Sequence, residues 1–163
     1  MTPTAPTTDV LAVGDPAPDF ELRDQHGQSV TLSRLRGSDV LLVFFPAVFS
    51  SVCSAELCDL RDWWPQVRSD AVLLAVSCDP MFSLRGYSDA EGIEFPLLSD
   101  FWPHGAVSQG YGVFDDTSGT PRRSSYLLDK EGRVAWSVHN ARPDARPLVD
   151  YEAALHALVQ RPS

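Results

Sequence analysis

The 163-residue chain is poor in cysteine, with only Cys53, Cys58 and Cys78. Three are too few for the disulfide framework of a small secreted domain, so their chemistry is expected to be thiol redox work inside a cell. No C-x-x-C pair occurs, which argues against a dithiol–disulfide oxidoreductase. The four histidines, His26, His104, His139 and His156, form no metal-ligand spacing with one another or with the cysteines. Each reads as a surface or locally hydrogen-bonded side chain, and neither metal nor cofactor is expected. Positive charge is also scarce. With 13 Lys+Arg against 22 Asp+Glu the net charge is −9, which argues against nucleic acid or an anionic membrane surface as partner. No apolar run approaches the length of a membrane span. The opening residues, Met1 to Asp9, have neither the basic end nor the apolar centre of a secretory signal. Residues 1–12 are read as a flexible tail, and the expected location is the cytoplasm.

What is present is enough for one domain, expected over residues 13–163. At this length roughly 70% of the unfolded chain's surface can be buried, so no disulfide or metal is needed for folding. Two apolar runs, Val40 to Phe45 and Ala71 to Ser77, read as buried strands of a parallel pair. The segment between them reads as a helix to about Val67, which makes a right-handed crossover. Pro16 to Leu22 and Gly27 to Leu32 read as short strands about a polar turn. Ser33 to Arg36 reads as one helical turn, Phe82 to Glu91 as a helix stopped by Gly92, and Phe95 to Leu98 as a short strand. Ala106 to Tyr111 is a short helix. Ser124 to Leu128 and Val134 to Val138 form a hairpin, and Val149 to Val159 closes the chain as an amphipathic helix. The order is that of an α/β protein with a thioredoxin-like fold, a central mixed sheet flanked by helices.

The stretch from Phe44 to Trp64 carries the chemistry. Pro46 ends the first buried run, Ser50 and Ser51 are good helix N-caps, and Glu56 is in place to complete a capping arrangement. Cys53 then falls in the first helical turn, where backbone N–H groups and the helix dipole favour negative charge. A thiol there is expected to ionise readily and act as a nucleophile.

Pro46-x-x-x-Ser50-x-x-Cys53 resembles the Pro-x-x-x-Thr/Ser-x-x-Cys motif of the peroxiredoxins. Three further segments agree in order. Gly14 to Phe20 resembles the family's N-terminal segment, Pro96 to Gln109 is similar to the alkyl hydroperoxide reductase E type of actinobacteria, and Arg122 to Asp129 resembles the family's Arg-bearing strand. The resemblance implies a peroxiredoxin-type thioredoxin-like fold and a thiol peroxidase. Its substrate would be hydrogen peroxide or an alkyl hydroperoxide. Its reductant would be thioredoxin, mycoredoxin or a low-molecular-weight thiol, and its assembly a homodimer. It casts Cys53 as the attacking thiolate and Arg123 as the guanidinium that stabilises charge on the peroxide oxygens. Along a strand Arg122 and Arg123 point to opposite faces, so only one can aim at the site. Ser50 is a cap, a donor to thiolate and peroxide, or both. Pro46 shields the thiolate or simply ends the strand. Glu56 orients the Arg or is an ordinary first-turn acid. Phe49 and Trp102 are candidates for an apolar rim or a dimer contact.

Cys58 has two readings. Its C-x4-C spacing resembles the bacterioferritin-comigratory branch, in which a Cys at that position resolves the oxidised one. In an intact helix, residues i and i+5 lie about 8.6 Å apart at Cα, while a disulfide tolerates at most about 7 Å, so resolution requires the helix to unwind locally. The other reading packs Cys58 in the apolar helix face and leaves Cys53 to an outside thiol. Cys78 reads as a small buried residue. A peroxide sensor that passes oxidation to a partner protein, and a binding domain without catalysis, are the alternatives from other classes.

Overall fold

The structure, a computed structural model, describes residues 10–67, 70–140 and 146–159. Among these residues a seven-stranded mixed sheet forms in the order β2-β1-β5-β4-β3-β8-β9. The strands are β1 (Glu21–Arg23), β2 (Ser29–Thr31), β3 (Val40–Phe44), β4 (Val72–Ser77), β5 (Leu97–Ser99), β8 (Arg123–Leu128) and β9 (Val134–Asn140). The three central strands β3, β4 and β5 are parallel. The flanking pairs are antiparallel. The helices are α1 (Ser51–Trp63), α2 (Met81–Glu91), α3 (Ala106–Gly110) and α4 (Leu148–Val159). The α/β, thioredoxin-like arrangement expected from the sequence is therefore the one observed.

Alternation along β3 divides the core in two, because successive side chains leave opposite faces of a strand. Leu41 and Val43, with Phe45 just beyond, join Leu73, Ala75 and Leu127 beneath α1, α2 and α4. Val40, Leu42 and Phe44 join Leu74, Val76, Tyr126 and Leu128 on the other face, closed by Tyr111, Phe20 and Ala17. On α1 the residues Cys53, Leu57 and Leu60 recur at helical spacing and are at most 2% exposed. The nucleophile's helix is thus anchored by the stripe that contains the thiol.

Three expectations need correction. Pro16 to Leu22 does not form one strand. Pro16 makes a single bridge to Arg133, and regular pairing begins only at Glu21. Pro16 and Pro18 have no N–H to give to a ladder. The helix to Val67 instead ends at Trp63 and tightens into a 3-10 turn, Trp64–Gln66, around Pro65. The small hairpin of β6 (Phe114–Asp115) and β7 (Thr120–Pro121) was not expected, since two-residue strands leave no periodicity to read. Most of the 1–12 tail lies outside the described residues. Of its last positions, Leu11 packs against the second core cluster and its N–H donates to the Tyr126 hydroxyl at 3.2 Å.

Leu57 makes no solvent contact and joins α1 to the sheet. Leu57→Ala is expected to cost about 3 kcal/mol of unfolding free energy, from lost burial plus the cavity left behind. Urea denaturation followed by tryptophan fluorescence measures it.

Candidate active site

The loop from Phe45 to Ser50 carries the chain from the end of β3 into α1. Its first half is fixed from β4. The Val48 N–H donates to Asp79 Oδ2 at 3.0 Å, and that oxygen also accepts from Ser77 Oγ at 2.7 Å. Its second half turns through Phe49, whose φ of +66° is uncommon for a residue with a bulky side chain. The Phe49 ring stays largely exposed and meets the Tyr87 ring edge to face, centroids 5.2 Å apart.

Ser50 is the N-cap. Its Oγ accepts from the Cys53 N–H at 3.4 Å and donates to the Ala47 carbonyl at 3.2 Å. The first intrahelical bond runs from Ser54 N to Ser50 O. Cys53 therefore sits at the third helical position, completely buried, with Pro46 buried at the start of the same loop. The backbone amides ahead of that first bond and the helix dipole point at this turn.

Glu56 does not complete a cap. With Ser50 as N-cap it lies a turn too far on, and its carboxylate is turned inward, 6% exposed, against two guanidinium groups. Oε1 accepts from Arg123 Nη1 and from Arg146 Nη2 at 3.1 Å. Oε2 accepts from Arg146 Nε at 2.9 Å and from the Arg146 backbone N–H at 2.7 Å. Burial alone would raise the Glu56 pKa. The bonds and charges of Arg146, then the charge of Arg123, outweigh it, and the net shift is downward. The carboxylate stays ionised beside two permanent cations, which leaves a net positive charge one turn from Cys53.

Strand register explains which arginine reaches this place. Ser124 on β8 pairs with Phe44, the last residue of β3, so Arg123 falls beyond the carboxyl end of β3, on the side where α1 begins. Arg123 is 4% exposed and Arg122, its neighbour, is exposed. The two neighbours thus point to opposite sides, and Arg123 is the one turned inward to Glu56. Sequence reasoning missed Arg146. It precedes α4 in a Pro-containing loop, and only the two Arg-Pro pairs at Arg142-Pro143 and Arg146-Pro147 mark it in the sequence.

The two arginines are used differently. Arg146 is saturated. Besides Glu56, its Nη1 donates to Phe44 O at 2.6 Å, Ser124 O at 2.9 Å and Ser125 Oγ at 3.0 Å. It thereby ties α1, β3, β8 and the approach to α4 together, and it lies within electrostatic reach of Cys53. Arg123 keeps a donor unspent. Its Nε is buried and has no hydrogen-bond partner. A buried unpaired N–H costs stability, and it persists here in the guanidinium beside the Cys53 turn. Beyond these, His139 Nδ1 pairs with Ser124 Oγ at 2.8 Å, a local bond of the kind expected for the histidines.

The other two thiols stand apart. Cys58 is outside the apolar stripe of α1, so packing in that stripe does not describe it. It is half-buried toward α2, with Sγ 3.9 Å from Tyr87 Oη, 3.5 Å from Glu91 Oε2 and 3.6 Å from Arg61 Nη1. Burial pushes its pKa up. Cys78 is buried at the end of β4, and burial pushes its thiol up to about 12, so it stays protonated. Trp102 is 82% exposed and borders a groove of about 350 Å³ with Phe101, Met81 and β1, whose lining does not include Cys53. Phe49 does border the Cys53 loop. Among the described residues no cluster of His, Cys, Asp and Glu could hold a metal ion.

The chain as a whole, not the site alone, is similar to known proteins. The model of the AhpC/TSA family matches residues 13–137. This chain is a peroxiredoxin of that family. Alkyl hydroperoxide reductase E of Mycobacterium tuberculosis is 44% identical over 151 residues, which is 91% of this chain and 99% of that protein. The crystal structure of peroxidoxin BcpB from the same organism superposes with a TM-score of 0.78 at 28% identity, covering 93% of this chain and 99% of that one. AhpC of Enterococcus faecalis superposes at 0.81 with 26% identity, over 89% and 90%. For this peroxiredoxin, no helix among the described residues is long and apolar enough to cross a membrane.

Replacing Glu56 tests the cluster. Glu56→Gln leaves two buried guanidinium groups without a counter-charge and is expected to cost about 3–5 kcal/mol. A carboxyl held below its unfolded pKa of about 4.3 contributes stability that is complete above that pH and is lost as pH falls through the folded value. The wild-type unfolding free energy should therefore decline from about pH 5 downward, and the Glu56→Gln variant should lack that part of the decline. Urea titrations at several pH values measure both.

Proposed function

We propose that the chain is a thiol-dependent peroxidase whose nucleophile is Cys53. The observation that carries the residue assignment is the unpartnered Nε of Arg123, a buried cationic donor held by Glu56 at the Cys53 turn. In this reading the Cys53 thiolate attacks one peroxide oxygen. A sulfur–oxygen bond forms, the oxygen–oxygen bond breaks, and the departing alkoxide or hydroxide takes up a proton. Sulfur is oxidised to sulfenic acid and the peroxide is reduced to alcohol or water. Negative charge passes from sulfur to the leaving oxygen, so donors fixed in advance lower the barrier. Arg123 supplies them from one side and the first amides of α1 from the other. Ser50 holds the helix start and offers its hydroxyl to the peroxide once it turns from Ala47 O. Pro46 keeps water from the thiolate, and Glu56 aims Arg123.

A thiol reductant closes the cycle. An outside thiol displaces the sulfenic oxygen as water and a second thiol releases Cys53. With Cys58 as the first of these, the disulfide forms inside the chain, and thioredoxin, mycoredoxin or a small thiol reduces it. The spacing supports Cys58, and the 8.6 Å helical separation (about, from ideal geometry) supports the outside thiol. The exposed Phe49, Phe101 and Trp102 rings support a homodimer. The cytoplasm is the location in which such thiols remain reduced.

One equivalent of hydrogen peroxide followed by alkylation and peptide mass analysis tests this. Gain of one oxygen at Cys53, or a Cys53–Cys58 linked peptide, supports the reading and tells the two resolution routes apart. An unmodified Cys53 sinks it. Arg123→Lys keeps the charge but loses the fork, and should lower kcat/KM for peroxide by about 10²–10³-fold, measured by competition against a second thiol peroxidase.

A further inference from the structure

Any disulfide between Cys53 and Cys58 needs the first turns of α1 to open, and one side chain of α2 touches both ends of the segment that must move. Tyr87 is fully buried. Its ring packs edge to face on Phe49, the left-handed residue just ahead of the helix. Its hydroxyl donates a long bond, 3.5 Å, to the carbonyl of Ser54, and stands 3.9 Å from the Cys58 sulfur. Ser54 O is the helical acceptor for the Cys58 N–H, so Tyr87 braces the turn that has to break for the two sulfurs to meet. Arg61 adds a second tie a turn later, from Nη1 to the Glu91 carbonyl at 2.6 Å, at the last residue of α2.

We infer that Tyr87 is a latch. It is a positioning residue that holds the Phe49–Cys58 segment wound and so sets how often Cys58 is presented to an oxidised Cys53. Three features fit this role. The Phe49 backbone is in a conformation that a bulky side chain resists, and relief of that strain favours opening once the ring contact is lost. Cys53, Glu56 and Leu57 also hold this segment, to the core and to Arg123 and Arg146, but the Tyr87 contacts come from another helix and can be lost without disturbing the sheet. The same hydroxyl meets the Cys58 sulfur, so opening and release of that thiol happen together. The role rests on the peroxidase reading only for its consequence. The opening itself is a property of the reduced protein.

The test separates the two. Amide hydrogen exchange of the reduced protein is compared for wild type, Tyr87→Phe, which loses the hydroxyl but keeps the ring on Phe49, and Tyr87→Leu, which loses both. Exchange at residues 52–58 should quicken roughly fivefold in Tyr87→Phe, the size expected of one neutral buried hydrogen bond, and further in Tyr87→Leu, while α4 and β4 are unchanged. Under diamide, which oxidises thiols without peroxide, the Cys53–Cys58 linked peptide should accumulate faster in the same order, and oxidation of Cys53 by peroxide should stay within about twofold of wild type. Unchanged local exchange in Tyr87→Phe overturns the inference whatever the enzyme does. Exchange that quickens equally in α4 and β4 also overturns it, since Tyr87 would then be an ordinary core residue. Quickened local exchange with no reaction at Cys53 leaves the latch standing and removes the peroxidase reading instead.

Discussion

The arrangement depends on one buried carboxylate. Glu56 is enclosed by Arg123 and Arg146 and is the counter-charge that offsets the burial of both, because an uncompensated guanidinium at this depth costs a large share of a domain's net stability. With the carboxylate in place, a cation otherwise confined to the surface is fixed within one turn of a buried thiol. The division of labour follows from hydrogen-bond supply. A guanidinium has five N–H donors. Arg146 spends its donors on Glu56, two main-chain carbonyls and Ser125. Arg123 arrives from the end of a strand, reaches Glu56 with one arm and keeps Nε unpaired. Built alike at the level of charge, the two residues differ in what remains for a ligand.

Much of this was legible in the sequence, for reasons that apply to particular residues. Cys53 could be placed because a short continuous apolar run stopped by a proline reads as a buried strand, and a serine cap marks where the next helix begins. Arg123 was preferred to Arg122 because the family resemblance points to it and alternation along a strand lets only one of the two aim at the site. What escaped were interactions between residues far apart in the chain. For Glu56 the local capping reading failed and the reading that it bonds an Arg agrees with its contact to Arg123, but its second partner, Arg146, 90 residues away, escaped. Arg146 drew no reading at all, since nothing near it in sequence announces a carboxylate to meet. The Pro16 segment reads as a strand because its apolar pattern is right, and only the count of missing N–H groups shows that pairing must fail.

The loop between β3 and α1 shows how strain and support are matched. Phe49 is held at positive φ between two clamps of different kinds, the Asp79 carboxylate on Val48 and the Tyr87 ring on Phe49 itself. The Asp79 clamp is attached to β4, among the most deeply buried strands. The Tyr87 clamp belongs to a surface helix with several exposed positions. Local opening draws on the weaker attachment. If the loop yields, it yields from Phe49 onward into α1, while Pro46 and Val48 stay on the sheet.

This asymmetry bears on the fate of the sulfenic acid. On the proposed reading, a wound α1 is the state that attacks peroxide, because only there are the first helix amides and the Glu56-held Arg123 both kept at the Cys53 turn. It is also the state in which Cys58 is out of reach, its thiol protonated and turned toward Tyr87 and Glu91. The more firmly the helix is held, the longer a sulfenic acid waits and the more often a second peroxide meets it and carries sulfur to the irreversible sulfinic level. A looser helix resolves sooner and spends less time ready to attack. On the latch reading, the attachment of α1 to α2 is where attack and resolution are balanced. Contacts there are chosen between two competing needs, so a set of modest, breakable ones, a 3.5 Å bond and a ring edge, is more serviceable than the strong clamp found on Glu56.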